Sequence, residues 1–348
     1  MTPLAIRLAA RIREEGPIGV DRFVAAALGD PEHGYYMIRD PLGRAGDFIT
    51  APEISQIFGE IVGLWCAEHW RRMGMPSEFA LVELGPGRGT LAADMLRAMK
   101  VLPACRAAAR LHLVETSPAL RARQRATLTE IEPHWHDRLE TVPTGPMLLV
   151  ANEFFDALPI RQWQFRNGAW CERLIGLEGD SFAFVAGPPG EPPVPPPAAT
   201  EGALFETCEP ALAIAETIGR RLASGPGAAI MIDYGHGTTA IGETLQAVRA
   251  HRYAPVLEDP GEADLTAHVD FAALAAALRR GGGETAPLTT QAGFLIAHGA
   301  EYRARALAKG KGPDGAAAID QALRRLLDPG KMGRLFKVLT ATTPGLAA

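Results

Sequence analysis

Leu81-Val82-Glu83-Leu84-Gly85-Pro86-Gly87-Arg88-Gly89-Thr90 is the stretch that decides the fold. A short apolar run ends in an acid and breaks into a G-x-G-x-G turn, and the residues after it, 91–99, are rich in helix formers. Strand, glycine turn and helix in this order open a nucleotide-type α/β site.

The spacing separates two ligand classes. A dinucleotide fingerprint carries glycines at the first, third and sixth positions, so that a helix N-terminus meets a pyrophosphate. Counted from Gly85, the sixth position is Thr90, and the third glycine comes early, at Gly89. S-adenosylmethionine has no phosphate and needs backbone that can approach its methionine part, which glycines Gly85, Gly87 and Gly89 allow. Glu83 is placed to receive the cationic ammonium of that cofactor. By itself the turn fits a ligand-free strand–helix connection equally well.

Leu111-His112-Leu113-Val114-Glu115 is a second apolar run ending in an acid. A carboxylate at the end of the second strand of a doubly wound sheet sits where ribose hydroxyls arrive and can accept from both. A solvated strand-end glutamate is the plain alternative. Two acids at two strand ends around one glycine turn favour the nucleoside site.

The chain has 348 residues, 47% hydrophobic and 22% charged, enough for one large α/β domain with insertions or two smaller ones. A net charge of −5 argues against a nucleic-acid-binding surface. The four cysteines (66, 105, 171, 208) form no C-x-x-C pair, so neither a zinc spacing nor a disulfide framework is read, and no metal is expected; His134 and His136 flank Trp135 with no evident third ligand. No apolar run is long enough to cross a bilayer. Residues 1–13 carry Arg7, Arg11 and Arg13 on an apolar periodicity, as a transit peptide does, but Glu14 and Glu15 follow and serine is absent. The segment reads as the first helix of a cytoplasmic protein.

The pattern predicts a helical N-terminal region, 1–76, with an active-site loop, followed by a sheet domain, 77–348, carrying a β-rich insertion at about 160–200. A helix is expected over 57–73. Residues 30–55 read as a lid or binding loop, or else a solvated connector. Strands are expected at 80–84, 111–115, 139–142 and 147–151, then a β-meander at 162–165, 169–177 and 181–185 with turns at Asn167-Gly168 and Gly179-Asp180. The segment 187–197 holds seven prolines and reads as an exposed connector or an edge. A helix over 206–222, a buried strand at 228–233, helices at 271–280, 301–309 and 316–327, and a last strand at 335–340 complete the pattern. The fold class is α/β, a Rossmann-like sheet of the class I methyltransferase type.

The 147–151 strand ends in Asn152-Glu153-Phe154-Phe155-Asp156-Ala157-Leu158-Pro159. Ligands of open α/β sheets lie outside the carboxyl ends of the strands, where Glu83, Glu115, Asn152, Glu153 and Asp233 fall. Methyl transfer from a sulfonium is an in-line displacement, and the protein must hold the acceptor lone pair near the methyl carbon. An arginine acceptor is planar and cationic, so it calls for carboxylates such as Glu153 and Asp156. Asn152 suits a neutral amine or amide acceptor instead. Asp156 fits an N-cap as well as a catalytic role.

These residues resemble the MidA family. The resemblance is carried by Asp30-Pro31-Glu32-His33-Gly34-Tyr35-Tyr36-Met37, by Gly46-Asp47-Phe48-Ile49-Thr50-Ala51-Pro52-Glu53-Ile54-Ser55, by the glycine turn and by the 152–159 turn. Asp233-Tyr234-Gly235, Asp264-Leu265-Thr266-Ala267-His268-Val269-Asp270-Phe271 and Thr290-Gln291-Ala292-Gly293-Phe294-Leu295 extend it over about residues 4–342. It implies an S-adenosylmethionine-dependent protein arginine methyltransferase, whose mitochondrial members assist respiratory complex I assembly by dimethylating an arginine on a core subunit. It implies that Gly85, Gly87 and Gly89 form the cofactor loop, that Glu115 is the ribose acid, that Glu153 and Asp156 fall in the acceptor pocket, and that Asp47, Thr50 and Glu53 lie on the loop that closes over it. Gly19 stands where the family often has Ser or Thr, which affects a helix cap. A protein substrate is the expected partner, with neither nucleic acid nor membrane insertion, and the apolar composition allows a homodimer. Two other classes share the sheet. One is an assembly chaperone that keeps the fold without catalysis; the other is a nicotinamide dehydrogenase, which Thr90 counts against.

Overall fold

The computed structural model describes residues 1–38 and 50–346. The chain forms two compact units, each gathered from three segments. Met1–Phe48, Phe155–Ala213 and His236–Leu274 make the first; Ile49–Phe154, Ile214–Gly235 and Ala275–Ala348 make the second.

In the first unit, helices Pro3–Glu15 and Val20–Gly29 present one apolar face each. Leu4, Leu8 and Ile12 from one, and Val20, Phe23, Val24 and Ala27 from the other, pack with Ile160, Ile175, Ala247 and Leu265. Thr2 caps the first helix by accepting the Ala5 N–H at 3.1 Å. The second starts at Gly19, which supplies no side-chain cap, as the departure from the family pattern implies. An antiparallel sheet runs in the order Ile18–Gly19, Ala169–Glu178, Arg161–Arg166, Leu204–Thr207, with Ser181–Pro189 against Ala169–Glu178. This is the expected inserted β-meander. The sheet has two strands more than read, because Ile18–Gly19 pairs with Ala169–Glu178 and Leu204–Thr207 with Arg161–Arg166, the following helix starting only at Glu209. The first prolines of the 187–197 run end the Ser181–Pro189 strand, where a missing N–H is tolerated because the strand pairs on one side only.

The second unit carries the main sheet, in the order Glu284–Thr285, Phe336–Thr342, Gly227–His236, Met147–Asn152, Phe79–Leu84, Ala109–Val114, His134–His136. The five strands from Gly227–His236 onward are parallel, and Phe336–Thr342 is antiparallel to Gly227–His236. Met147–Asn152 is buried along its whole length, as a central strand covered on both faces must be. The strand order turns back on itself between Phe79–Leu84 and Met147–Asn152, which is where ligands enter such sheets.

Helix Gln56–Arg72 belongs to this unit. Ile57, Phe58, Ile61, Val62, Trp65 and Cys66 on it are buried in the core of the sheet. Gly63 lets the next helix, Thr90–Ala98, come close: a Cβ there would meet the Met95 backbone at 2.7 Å. Glu60, buried on the same helix, is held by Arg303 at 2.7 and 3.0 Å and by Arg97 at 3.1 Å. The N-terminal segments therefore divide between the units, and the border falls before Ile49 instead of at 76.

The strand expected at 139–142 is a 3-10 turn, Leu139–Thr141, and the edge strand is His134–His136. Leu139 and Val142 are both buried, three residues apart, which is a helical spacing. The edge strand has no continuous apolar run because it is only half covered.

Candidate active site

The glycine turn follows the Phe79–Leu84 strand, and Gly85, Gly87 and Gly89 all adopt left-handed backbone, with φ of +59°, +52° and +81°. Only glycine takes up such angles at three alternate positions without strain. A Cβ on Gly85 would meet the Phe154 ring at 2.8 Å. Gly89 is the N-cap of helix Thr90–Ala98.

Glu83 lies beneath the turn and is buried. Among the described residues its Oε2 has no hydrogen-bond partner. Burial pushes its pKa up to about 8; the Ala92 backbone N–H acts to lower it, and the nearby Asp94 acts in the same direction as burial. A buried carboxyl with one oxygen unsatisfied fits an ammonium-bearing ligand.

Glu115 closes the Ala109–Val114 strand. Its Oε1 accepts the Ser117 N–H at 2.8 Å and its Oε2 accepts from Gln124 Nε2 at 3.2 Å. Burial raises its pKa, against the pull of these donors. Its own N–H donates to His136 O at 2.9 Å, so the edge strand holds it in place.

Asn152 and Glu153 end the Met147–Asn152 strand. The register pairs Leu84 with Ala151, so Asn152 stands level with the start of the glycine turn. Asn152 is buried, its Nδ2 donates to Glu153 Oε1 at 3.2 Å, and its Oδ1 has no partner among the described residues. Glu153 has φ of +48°, an uncommon value for a side-chain-bearing residue, and its N–H donates to Ile232 O at 2.9 Å. Its Oε1 also accepts the Ala51 N–H at 3.0 Å, the first residue of the short helix Ala51–Ile54. Thr50 is the N-cap of that helix but makes no side-chain cap bond. Glu53, within it, accepts from Thr90 Oγ1 and lies 3.9 Å from Arg88 Nη1. The helix is thus fixed at one end to the strand terminus and at the other to the glycine turn. Asp233 Oδ2 accepts the Phe154 N–H at 3.2 Å and Oδ1 the Tyr234 N–H at 2.9 Å, which anchors the 152–159 turn.

Glu83, the glycines, Glu115, Asn152, Glu153, Thr50 and Glu53 all belong to the second unit. Asp156 belongs to the first, where it is buried, its carbonyl accepting the Ala267 N–H at 2.9 Å. Tyr36, whose hydroxyl donates to Asp264 Oδ1 at 2.7 Å, feels the charges of Asp264 and Asp156; burial, first, and those charges hold its pKa well above 10. Asp47 lies outside the described residues, as do all of residues 39–49 of the 30–55 loop. The sequence reading missed Gln124, Ser117, Thr90 and Arg88. Gln124, Thr90 and Arg88 reach partners remote in sequence and Ser117 acts through its backbone N–H, so no spacing rule reveals them.

A parallel sheet with a glycine turn at its switch point, a buried acid beneath the turn with one oxygen unpartnered among the described residues, and a second acid at the next strand end is the arrangement of a nucleoside-binding α/β enzyme. The chain belongs to the family described as "Putative S-adenosyl-L-methionine-dependent methyltransferase", whose model matches residues 61–288. It is 40% identical to the protein arginine methyltransferase NDUFAF7 homolog, mitochondrial, of Drosophila melanogaster, over 99% of this chain and 86% of that one. It is 36% identical to the Homo sapiens protein arginine methyltransferase NDUFAF7, mitochondrial, over 97% and 82%. A crystal structure from Burkholderia thailandensis, described as a "likely methyl transferase" bound to S-adenosyl-homocysteine, superposes with a TM-score of 0.84 at 28% identity, covering 99% of this chain and 92% of that one.

The enzyme is therefore an S-adenosylmethionine-dependent methyltransferase, and the MidA resemblance holds along the chain. The cytoplasmic assignment does not hold: the relatives are named as mitochondrial. The alternation of arginines and apolar residues in Pro3–Glu15 describes an amphipathic helix packed in a core, and such a pattern carries no information about compartment.

Proposed function

We propose that this methyltransferase acts on arginine in a protein, with a subunit of respiratory complex I as the target. The observation that carries the reading is the pairing of Asn152 and Glu153 at the end of the strand adjoining the glycine turn, in register with it. The names of the relatives, protein arginine methyltransferases, support the acceptor class.

When bound, S-adenosylmethionine supplies an electrophilic methyl group on a cationic sulfur. Glu83 receives its ammonium, and Glu115 accepts from the ribose hydroxyls. The guanidinium is held by the Glu153 charge, with Asn152 Oδ1 accepting from one of its N–H groups, so that one nitrogen faces the methyl carbon. Electron density concentrated on that nitrogen would favour its bonding to the methyl carbon as the carbon–sulfur bond breaks, the electron pair staying on sulfur as a neutral thioether, and the proton the nitrogen sheds would pass to a carboxylate. Asp156 is the second acid assigned to the acceptor. Thr50, Glu53 and Asp47 are assigned to the segment that closes the site.

The test is methylation with labelled S-adenosylmethionine of separately purified complex I subunits, followed by hydrolysis and amino-acid analysis. Label recovered as dimethylarginine from one subunit, and lost with Asp156→Asn or Glu153→Gln, supports the proposal. Label in another amino acid, or in a small molecule only, overturns it.

A further inference from the structure

Gln124, on the helix Pro118–Thr127, is completely buried, although nothing in its sequence neighbourhood marks it. Its Nε2 donates to Gly87 O at 2.7 Å and to Glu115 Oε2 at 3.2 Å. Its Oε1 accepts from Trp135 Nε1 at 2.8 Å. One amide thus touches the glycine turn, the acid at the second strand end and the edge strand His134–His136.

The orientation of that amide is not arbitrary. An indole nitrogen only donates, so the group facing Trp135 must be the amide oxygen. The NH₂ is then turned toward the two acceptors, Gly87 O and Glu115. Without the indole N–H the amide could rotate, and an oxygen would face a carbonyl and a carboxylate. Trp135 is itself held from the other side by the Arg125 guanidinium, 4.7 Å from its ring centroid. The polar network is connected, and low dielectric inside the protein strengthens each link.

We propose that Gln124 is a positioning residue for the methyl donor, and that Trp135 sets its orientation. By tying Glu115 to the glycine turn, Gln124 holds the carboxylate where both ribose hydroxyls meet it on arrival. The cofactor then binds without reorganising the two elements that contact it. The inference rests on reading Glu115 as the ribose acid, and the experiment separates failure of that reading from failure of the inference.

Calorimetry would compare S-adenosyl-homocysteine with the analogue in which both ribose hydroxyls are replaced by hydrogen. The proteins are the wild type, Gln124→Met, Trp135→Phe and Glu115→Gln. The wild type is expected to prefer the natural ribose by at least about tenfold, the worth of a hydrogen bond to a charged group. Gln124→Met is expected to cut that preference toward unity while affinity for the hydroxyl-free analogue stays within about twofold, since a contact made only to the ribose contributes nothing there. Trp135→Phe, which keeps an aromatic ring but loses the N–H together with part of the indole, is expected to lower the preference by about threefold, the smaller value of a neutral hydrogen bond. A role in folding alone would weaken both ligands equally and leave the preference intact, and that result overturns the inference. If Gln124→Met fails to fold, Trp135→Phe decides between the same two results. If the wild type shows no preference and Glu115→Gln changes nothing, the ribose assignment itself is wrong and the inference falls with it.

Discussion

Glu153 Oε1 accepts the backbone N–H of Ala51 at 3.0 Å, joining residues 102 positions apart. A side chain proposed to orient the acceptor therefore also holds the first turn of the helix Ala51–Ile54. The two duties respond differently to substitution. Glu153→Gln keeps an acceptor oxygen and removes the charge; Glu153→Ala removes both.

Glu153→Gln is expected to keep the melting temperature within a few degrees and to lower kcat by about 100-fold, a value typical of losing one group that stabilises developing charge. Glu153→Ala is expected to lose the same activity and a further 1–2 kcal/mol, about the worth of a helix cap. Thermal melts and single-turnover methylation measure both. Full activity in Glu153→Gln would reduce the residue to a cap.

Glu83 predicts two opposite pH effects. Burial raises its pKa to about 8 in the folded chain, so between about 4.5 and 8 the folded state holds a proton that the unfolded state has released. Its contribution to stability is present below that window and is lost as pH rises through it. Binding of a cationic ammonium favours the ionised form, so cofactor affinity is expected to rise toward pH 8 with release of a proton. Glu83→Gln is expected to remove this loss of stability and to weaken the cofactor by at least about tenfold. Calorimetry in buffers of different ionisation heat counts the released proton; an unchanged count in Glu83→Gln would assign it elsewhere.

At the edge of the main sheet, His112 Nδ1 lies 2.9 Å from His136 Nε2, and burial first, then the neighbouring histidines, hold the His112 pKa down to about 4. The unfolded chain takes up the proton near 6.5, so stability is expected to fall as pH drops from about 6.5 toward 4. His112→Asn is expected to flatten this part of the profile. Chemical denaturation at pH 7 and pH 5 checks it, and an equal drop in wild type and variant would exclude the pair.

Gly85→Ala is expected to cost about 1–3 kcal/mol, because a non-glycine residue at φ +59° is strained and its Cβ would press on the Phe154 ring. Loss of cofactor binding is expected to accompany it. Denaturant titration with and without S-adenosyl-homocysteine measures both; a variant stabilised by the ligand as much as wild type would show that the turn tolerates the methyl group.

What could be read from the sequence was what local pattern dictates. Phe79–Leu84, Ala109–Val114 and Met147–Asn152 are predominantly apolar because most of their residues are covered on both faces, and the acids at their ends, Glu83, Glu115 and Glu153, identify the carboxyl edge. His134–His136 escaped because an edge strand needs no such run. Glu153 was read as an acceptor acid alone because its partner Ala51 lies in a different motif. Gln124 escaped entirely, since a single buried amide on a charged helix leaves no periodic trace.

The discontinuity of both units has a consequence for synthesis. Gly227–His236 is flanked on one side by Met147–Asn152 and on the other by Phe336–Thr342, paired over seven positions from Ala228↔Thr342 to Tyr234↔Phe336. A ribosome delivers that last partner about a hundred residues after the strand it covers. Through that interval the nascent sheet offers an apolar strand with one open side, the arrangement most prone to pairing with another chain. Elongation speed over this final third, and the chaperones present during it, thus become determinants of how much enzyme a cell obtains.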